Sequence, residues 1–241
     1  MNRPEVVFVD VGGVFHLPRL DLVTPAFASL GYRVEDPDHL FRAHHAAMAE
    51  LDRRPGVIDD LRENEAPPAV VFAAYDRGLA RALGVADDKL DAATVALSGI
   101  FGGVGAWGTL VPGSIEGLRA LAATGVRLAI LSNSDGTVEQ RLRDEGVVQV
   151  GEGPGVPVEI VVDSGRLGFQ KPDPRIFEFA LEAVGVSADR AIHVGDSVAM
   201  DVAGALAAGV TPIHLDPFAD CPGGPPHDHV KTLAELADLL S

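Results

Sequence analysis

Cysteine is all but missing from this chain. Cys221 stands alone among 241 residues, so no disulfide can form within the chain, and such usage fits a reducing compartment. Basic residues are scarce too: 19 Lys and Arg face 35 Asp and Glu, for a formal charge of −16. That balance repels nucleic-acid backbones and anionic membrane surfaces, so neither is expected as a partner. A small phosphorylated substrate remains compatible with it, because a bound metal reverses the field locally. Aromatic residues supply only 5% of the chain against 47% hydrophobic overall, so the core is expected to rest on Ala, Val, Leu and Ile. No apolar run is long enough to span a bilayer, and the N-terminus lacks a secretory series. A cytoplasmic protein, acting as a monomer or homodimer, is expected.

Against these absences stand short apolar runs at Val6–Asp10, Val126–Ser132, Ile160–Asp163, Ala191–Gly195 and Thr211–Leu215. They show little alternation, as expected of parallel strands covered on both faces. Helical patterns lie between the later ones. Ser114 is expected to cap a helix that stops at Gly125, Pro174–Val184 stops at Gly185, and Met200–Ala208 stops at Gly209. Thr232–Leu240 reads as a closing amphipathic helix. The fold class is therefore α/β, a Rossmann-like doubly wound parallel sheet.

From Phe15 to Gly105 only helix signals occur. Asp21–Leu30 is one; Asp36-Pro37 opens a second, with Leu40, Phe41, His44, Met48 and Leu51 on an apolar stripe. Pro67-Pro68 opens a third ending at Gly84, and Ala86–Ser98 is a fourth. This stretch is too long for a simple crossover. It is expected to be an inserted helical cap domain (15–105) over an α/β core (1–14 and 106–241), with hinges near Phe15–Arg19 and Gly99–Gly108.

Four polar clusters follow predicted strands or open helices. They are Asp10 with Gly12 and Gly13; Ser132-Asn133-Ser134; Lys171 within Gly168–Pro174; and Gly195-Asp196-Ser197 with Asp201 beyond. Ligands of open α/β sheets bind at the carboxyl ends of the strands, where these clusters converge. Each alone has an ordinary explanation, as a turn, a cap or a solvated lysine. Together they suit phosphoryl transfer. Paired carboxylates can hold Mg²⁺, Asp10 can attack phosphorus and form an aspartyl-phosphate, and Ser132 and Lys171 can hold the phosphoryl oxygens.

The same clusters resemble the four motifs of the haloacid dehalogenase superfamily: Val6–Val14 the first, Leu128–Asn133 the second, Gly168–Phe177 the third and His193–Gly209 the fourth. The resemblance implies a Mg²⁺-dependent phosphatase of small phosphorylated metabolites with a helical cap. It makes Asp10 the nucleophile and a metal ligand, Gly12 a ligand through its carbonyl, and Asp196 a third ligand. Ser132 and Lys171 would bind the phosphoryl group, Asn133 would line the pocket, and Asp201 would orient Lys171 or a metal-bound water.

One position departs. Typical family phosphatases carry a second Asp two residues past the nucleophile, where this chain has Gly12. Glycine cannot protonate the leaving oxygen, an assistance generally worth about 10²–10⁴-fold. The enzyme is therefore expected to be slow or selective for good leaving groups, unless His16 supplies the proton and contacts substrate. Family members that cleave carbon–halogen or carbon–phosphorus bonds also lack that Asp. The first chemistry needs an arginine, from Arg19, Arg42, Arg53 or Arg54; the second needs a cap lysine, for which only Lys89 is available. A catalytically silent metabolite-binding relative is the remaining alternative. His44 is expected to belong to the cap's own core.

Overall fold

The computed structural model describes residues 3–63 and 68–241. In chain order the first elements are β1 (Val6–Val9), β2 (His16–Pro18), α1 (Leu20–Ser29), α2 (Pro37–Asp52), α3 (Val57–Glu63), α4 (Pro68–Ala82), α5 (Leu90–Phe101) and β3 (Trp107–Leu110). There follow α6 (Ser114–Ala123), β4 (Arg127–Ser132), α7 (Val138–Asp144), β5 (Val148–Val150), β6 (Val156–Val158), β7 (Val161–Asp163) and α8 (Pro174–Val184). The chain closes with β8 (Ala191–Gly195), α9 (Ala203–Ala207), β9 (Thr211–Leu215), β10 (Asp228–Val230) and α10 (Leu233–Leu240).

β1 is buried at every residue because it lies inside a six-stranded parallel sheet of order β10-β9-β8-β1-β4-β7. Its side chains alternate between two cores. Val7 and Val9 pack with Leu118, Leu121, Leu142 and Leu236 on one face; Val6 and Phe8 pack with Ile176, Phe177 and Ala180 on the other. Covering both faces removes any polar alternation, which is why the strands read as plain apolar runs. All five expected strands are present.

Between β2 and β3 every regular element among the described residues is helical, and these helices share a third apolar cluster containing Phe27, Leu40, Leu51, Leu79, Leu90 and Leu97. Asp36 caps α2 by accepting a hydrogen bond from the Asp38 amide, with Pro37 as the first helical residue. Among the described residues no helix is long and apolar enough to cross a membrane.

Several local expectations are corrected. Gly113, at φ 75°, caps α6; Ser114 is its first residue and donates its hydroxyl to the Val111 carbonyl. The backbone turns through a left-handed residue there, which glycine tolerates and serine does not. α5 runs through Gly99 to Phe101, and both expected hinge segments contain strand, β2 and β3 pairing antiparallel with Leu17 opposite Thr109. Strands of three or four residues carry too little alternation to be read. The helix expected from Met200 begins as a wide π turn over Val198–Val202, which turns Asp201 inward. The expected start at Pro67 lies outside the described residues.

Candidate active site

The sheet brings the four clusters to one place. Asp10 follows β1, Ser132 ends β4, and Asp196 follows β8, the strands on either side of β1 being its direct hydrogen-bonded neighbours. One carboxylate oxygen from each of Asp10, Asp196 and Asp201 lies within 4.8 Å of the others, and all three residues are buried. Lys171, only 1% exposed, lies among them with its Nζ 2.7 Å from Asp10 Oδ1 and 2.6 Å from Asp201 Oδ1. It is not a solvated lysine.

The supports of these groups follow from their neighbours. Asn133 accepts from the Lys171 amide at 2.8 Å and donates to the Lys171 carbonyl at 2.9 Å, fixing the loop that delivers the ammonium. Asn133 lines the cavity, yet its amide is taken up by this backbone. Asp201 accepts from His193 Nε2 at 2.8 Å and from the Ser197 amide at 3.0 Å, besides Lys171. Gly13, at φ 66°, allows the backbone to pass close to Asp196, since a Cβ there would stand 2.2 Å from Asp196 Oδ2. Gly12 has no such constraint: a Cβ would meet only Trp107, at 3.8 Å. The backbone leaves room for a Cβ at position 12, where the sequence has none.

Electrostatics follow from burial. Desolvation pushes the Asp10 carboxyl up to about 7 against the pull of Lys171, helped by the charges of Asp201 and Asp196. Burial likewise raises Asp196 well above the usual range, with Asp201 adding to the push. Burial alone would raise Asp201 too, but the Lys171 ammonium and the His193 hydrogen bond hold it well below the ordinary value. Three carboxylates against one ammonium leave two negative charges unbalanced when all are ionised. A hard divalent cation fits this donor set in charge and in ligand type.

Sequence reasoning missed the contribution of the inserted helices. His44, on α2, does not stay within the insert's core. Its Nε2 lies 2.7 Å from Asp196 Oδ2 and its Nδ1 lies 2.8 Å from the Tyr75 hydroxyl of α4. With Asp196 ionised, His44 donates to the carboxylate through Nε2 and accepts from Tyr75 at Nδ1. Burial lowers the His44 imidazole to about 3, so the ring is neutral near neutral pH. Asp52, at the end of α2, accepts from the amides of Val198 and Ala199 and the hydroxyl of Ser197, at 2.7, 3.0 and 2.9 Å. Nothing in the periodicity of α2 marks these reaches across to the sheet; the only signal was a histidine on an otherwise apolar stripe.

These groups enclose a cavity of about 440 Å³ lined by Asp10, Gly12, Ser132, Asn133, Lys171 and Asp196, with His44, Tyr75 and Trp107 on the side of the insert and ribbon. His16 also lines it, buried on β2, with its Nε2 2.5 Å from Glu145 Oε2. Arg141 is the arginine of its wall, donating to the Trp107 carbonyl at 2.9 Å. None of Arg19, Arg42, Arg53 or Arg54 lines it: Arg19 pairs with Asp21, Arg54 with Asp60, Arg53 donates to the Asp220 carbonyl, and Arg42 covers Phe218. Lys89 is away from it as well, donating to the Leu30 carbonyl rather than pairing with its neighbouring acids.

A family model described as haloacid dehalogenase-like hydrolase matches residues 4–209, which include all four clusters. The chain belongs to that hydrolase family. Among its relatives, a phosphoglycolate phosphatase of Rhodospirillum rubrum is 38% identical over 148 residues, covering 59% of this chain and 56% of that one. The match thus spans little more than half of that relative's length. Phosphoglycolate phosphatase 1 of Pseudomonas aeruginosa is 28% identical over 93% of this chain and 79% of its own. In structure, the family hydrolase YfnB of Bacillus subtilis, solved with magnesium, matches with a TM-score of 0.59 at 20% identity, covering 99% of each chain. A dehalogenase matches with 0.58 at 18% identity, over 99% of this chain and 98% of that one. At such identities the structural likeness speaks for the fold.

Proposed function

We propose that this family hydrolase is a Mg²⁺-dependent phosphatase of small phosphorylated metabolites, working through an aspartyl-phosphate on Asp10. The observation that carries this reading is the buried meeting of Asp10, Asp196 and Asp201, with the Lys171 ammonium paired to Asp10 and Asp201. A surplus of buried negative charge is costly unless a cation balances it, and phosphatases among the relatives support the phosphoryl chemistry.

In this reading Asp10, the Gly12 carbonyl and Asp196 hold the ion, which neutralises charge on the phosphoryl group when bound. Asp10 is the nucleophile: its free carboxylate oxygen attacks phosphorus in line with the leaving oxygen. Lys171 and the Ser132 hydroxyl hold the phosphoryl oxygens, and Asp201 keeps Lys171 aimed at Asp10. Residues 15–105 act as a cap that excludes water and selects substrate. Because Gly12 offers no proton, turnover favours anomeric, aryl or acyl phosphates, whose leaving oxygens need little protonation. His16 remains beside the substrate as a wall residue. The protein acts in the cytoplasm, as a monomer or homodimer.

The test is turnover of an aryl phosphate with Mg²⁺ by the native chain and by Asp10→Asn. The variant is expected to lose about 10⁴-fold or more. Native-level turnover in Asp10→Asn would remove the nucleophile, and with it the reading.

A further inference from the structure

A second group of metal-ligating side chains lies at the edge of the sheet. We propose that His214, Cys221, His227 and His229 form a tetrahedral site for Zn²⁺ or a cation of similar softness. One ligand atom from each of the four lies within 4.8 Å of all the others. The juxtaposition is built by the fold, since His214 on β9 and His229 on β10 are direct partners in the strand register. Their ring centroids are 5.3 Å apart, and His227, just before β10, stands 4.6 Å from His229 and 5.4 Å from His214. The chain's single thiol enters this group, with Cys221 Sγ 3.5 Å from His227 Nε2.

The orientation of the rings points the same way. His214 donates through Nε2 to the Asp196 carbonyl at 3.2 Å, leaving a buried Nδ1 with no partner. His227 donates through Nδ1 to the Pro225 carbonyl at 2.6 Å, which leaves Nε2 towards the sulfur. His229 places Nδ1 3.3 Å from Asp216 Oδ2, which leaves its Nε2. Imidazoles that bind metals are held in this manner, one nitrogen on a carbonyl or carboxylate and the other on the ion. One thiolate and three imidazoles suit zinc and disfavour Mg²⁺ and Ca²⁺, which prefer oxygen. Because the protein supplies all four positions, the site is of the closed, structural type.

Its place in the fold indicates what it would hold. The loop between β9 and β10 carries Phe218 against Phe41 and His45 of α2, with Arg42 over its ring, and its Asp220 carbonyl accepts from Arg53. Clamping Cys221 and His227 to the sheet edge fixes this loop, and through it the helix that presents His44 to Asp196. The His214–Asp196 hydrogen bond ties the clamp directly to the acid cluster. The inference stands on these residues alone and is independent of the phosphatase reading.

The experiment uses the full chain without a polyhistidine tag, stripped with a chelator and kept in excess Mg²⁺ to occupy the acid cluster. Titration with Co²⁺ should give one equivalent bound, with tetrahedral ligand-field bands and a thiolate-to-cobalt charge-transfer absorption that Zn²⁺ bleaches. Cys221→Ser should lose the charge-transfer band, and His227→Ala should weaken binding by about 100-fold or more. In the unsubstituted chain, Zn²⁺ should also slow alkylation of Cys221 by iodoacetamide. Cobalt bound without the thiolate band, or an alkylation rate indifferent to Zn²⁺, would overturn the site.

Discussion

The polar groups at the strand ends and those on the inserted helices meet in one cavity, but they are organised differently. Asp10 and Asp196 sit directly after buried apolar strands and Ser132 at the end of one, so the register of the sheet alone brings them together. His44 and Tyr75 lie on α2 and α4, among residues that build the insert's own core, and reach Asp196 only because those helices are docked as they are. On the proposed reading the chemistry belongs to the sheet, whereas the insert hydrogen-bonds one carboxylate of it. Substitutions in the sheet should therefore cost turnover, and substitutions in the insert should cost ion affinity or stability.

The largest effect is expected on the sheet side. Lys171→Met removes the ammonium that Asp10 and Asp201 share, and should lower kcat by about 10²–10³-fold. It also leaves buried carboxylates unpaired, so the metal-free protein should lose about 3–5 kcal/mol of stability in urea denaturation. On the insert side, His44→Ala removes the donor that orients Asp196. Mg²⁺ should bind about 10–100-fold more weakly while kcat at saturating Mg²⁺ stays near native. Trp107, the only tryptophan and 5.5 Å from His44, provides a fluorescence readout for that titration. Turnover abolished in His44→Ala even at saturating Mg²⁺ would break the comparison, since the insert would then share in the chemistry.

Asp52 sharpens the same contrast through stability. Burial pushes its carboxyl up to about 7, against the hydrogen bonds from the Ala199 and Val198 amides. Between the ordinary aspartate range and that value the folded state binds more protons than the unfolded state, so this group makes stability fall as pH rises through the window. Asp52→Asn should flatten that slope. The substituted amide places an N–H against backbone donors, so stability should fall by about 1–3 kcal/mol at low pH, measured by urea denaturation across pH. The smallest effect concerns position 12. A Cβ there meets only Trp107, so Gly12→Asp should fold and should raise turnover of alkyl phosphates by about tenfold, less than the about 10²–10⁴-fold that a general acid supplies in its own site. Aryl phosphates should gain little, and equal gains on both would show that leaving-group protonation is not what Gly12 lacks.

What could be read from the sequence divides along the same line. The core strands were legible because burial on both faces makes each a plain apolar run, and Asp10, Ser132, Lys171, Asp196 and Asp201 were legible because they stand at strand ends or helix starts. The β2–β3 ribbon was not, since its short strands show no period, and its pairing joins residues on either side of the insert. His44 was misplaced for a related reason. Helical spacing assigns a residue to a face, but it does not say which neighbour that face will meet. The helix after Asp196 opens on a π turn that carries Asp201 inward, a feature that helical spacing does not encode.

The account turns most directly on whether phosphorus becomes attached to Asp10. Native protein turning over an aryl phosphate with Mg²⁺ can be quenched and reduced with borohydride, which converts an acyl-phosphate side chain to the alcohol. Peptide mass mapping should then find homoserine at position 10, dependent on both substrate and Mg²⁺. An unmodified Asp10 in protein quenched during steady turnover, with the reduced side chain elsewhere or nowhere, would contradict the mechanism.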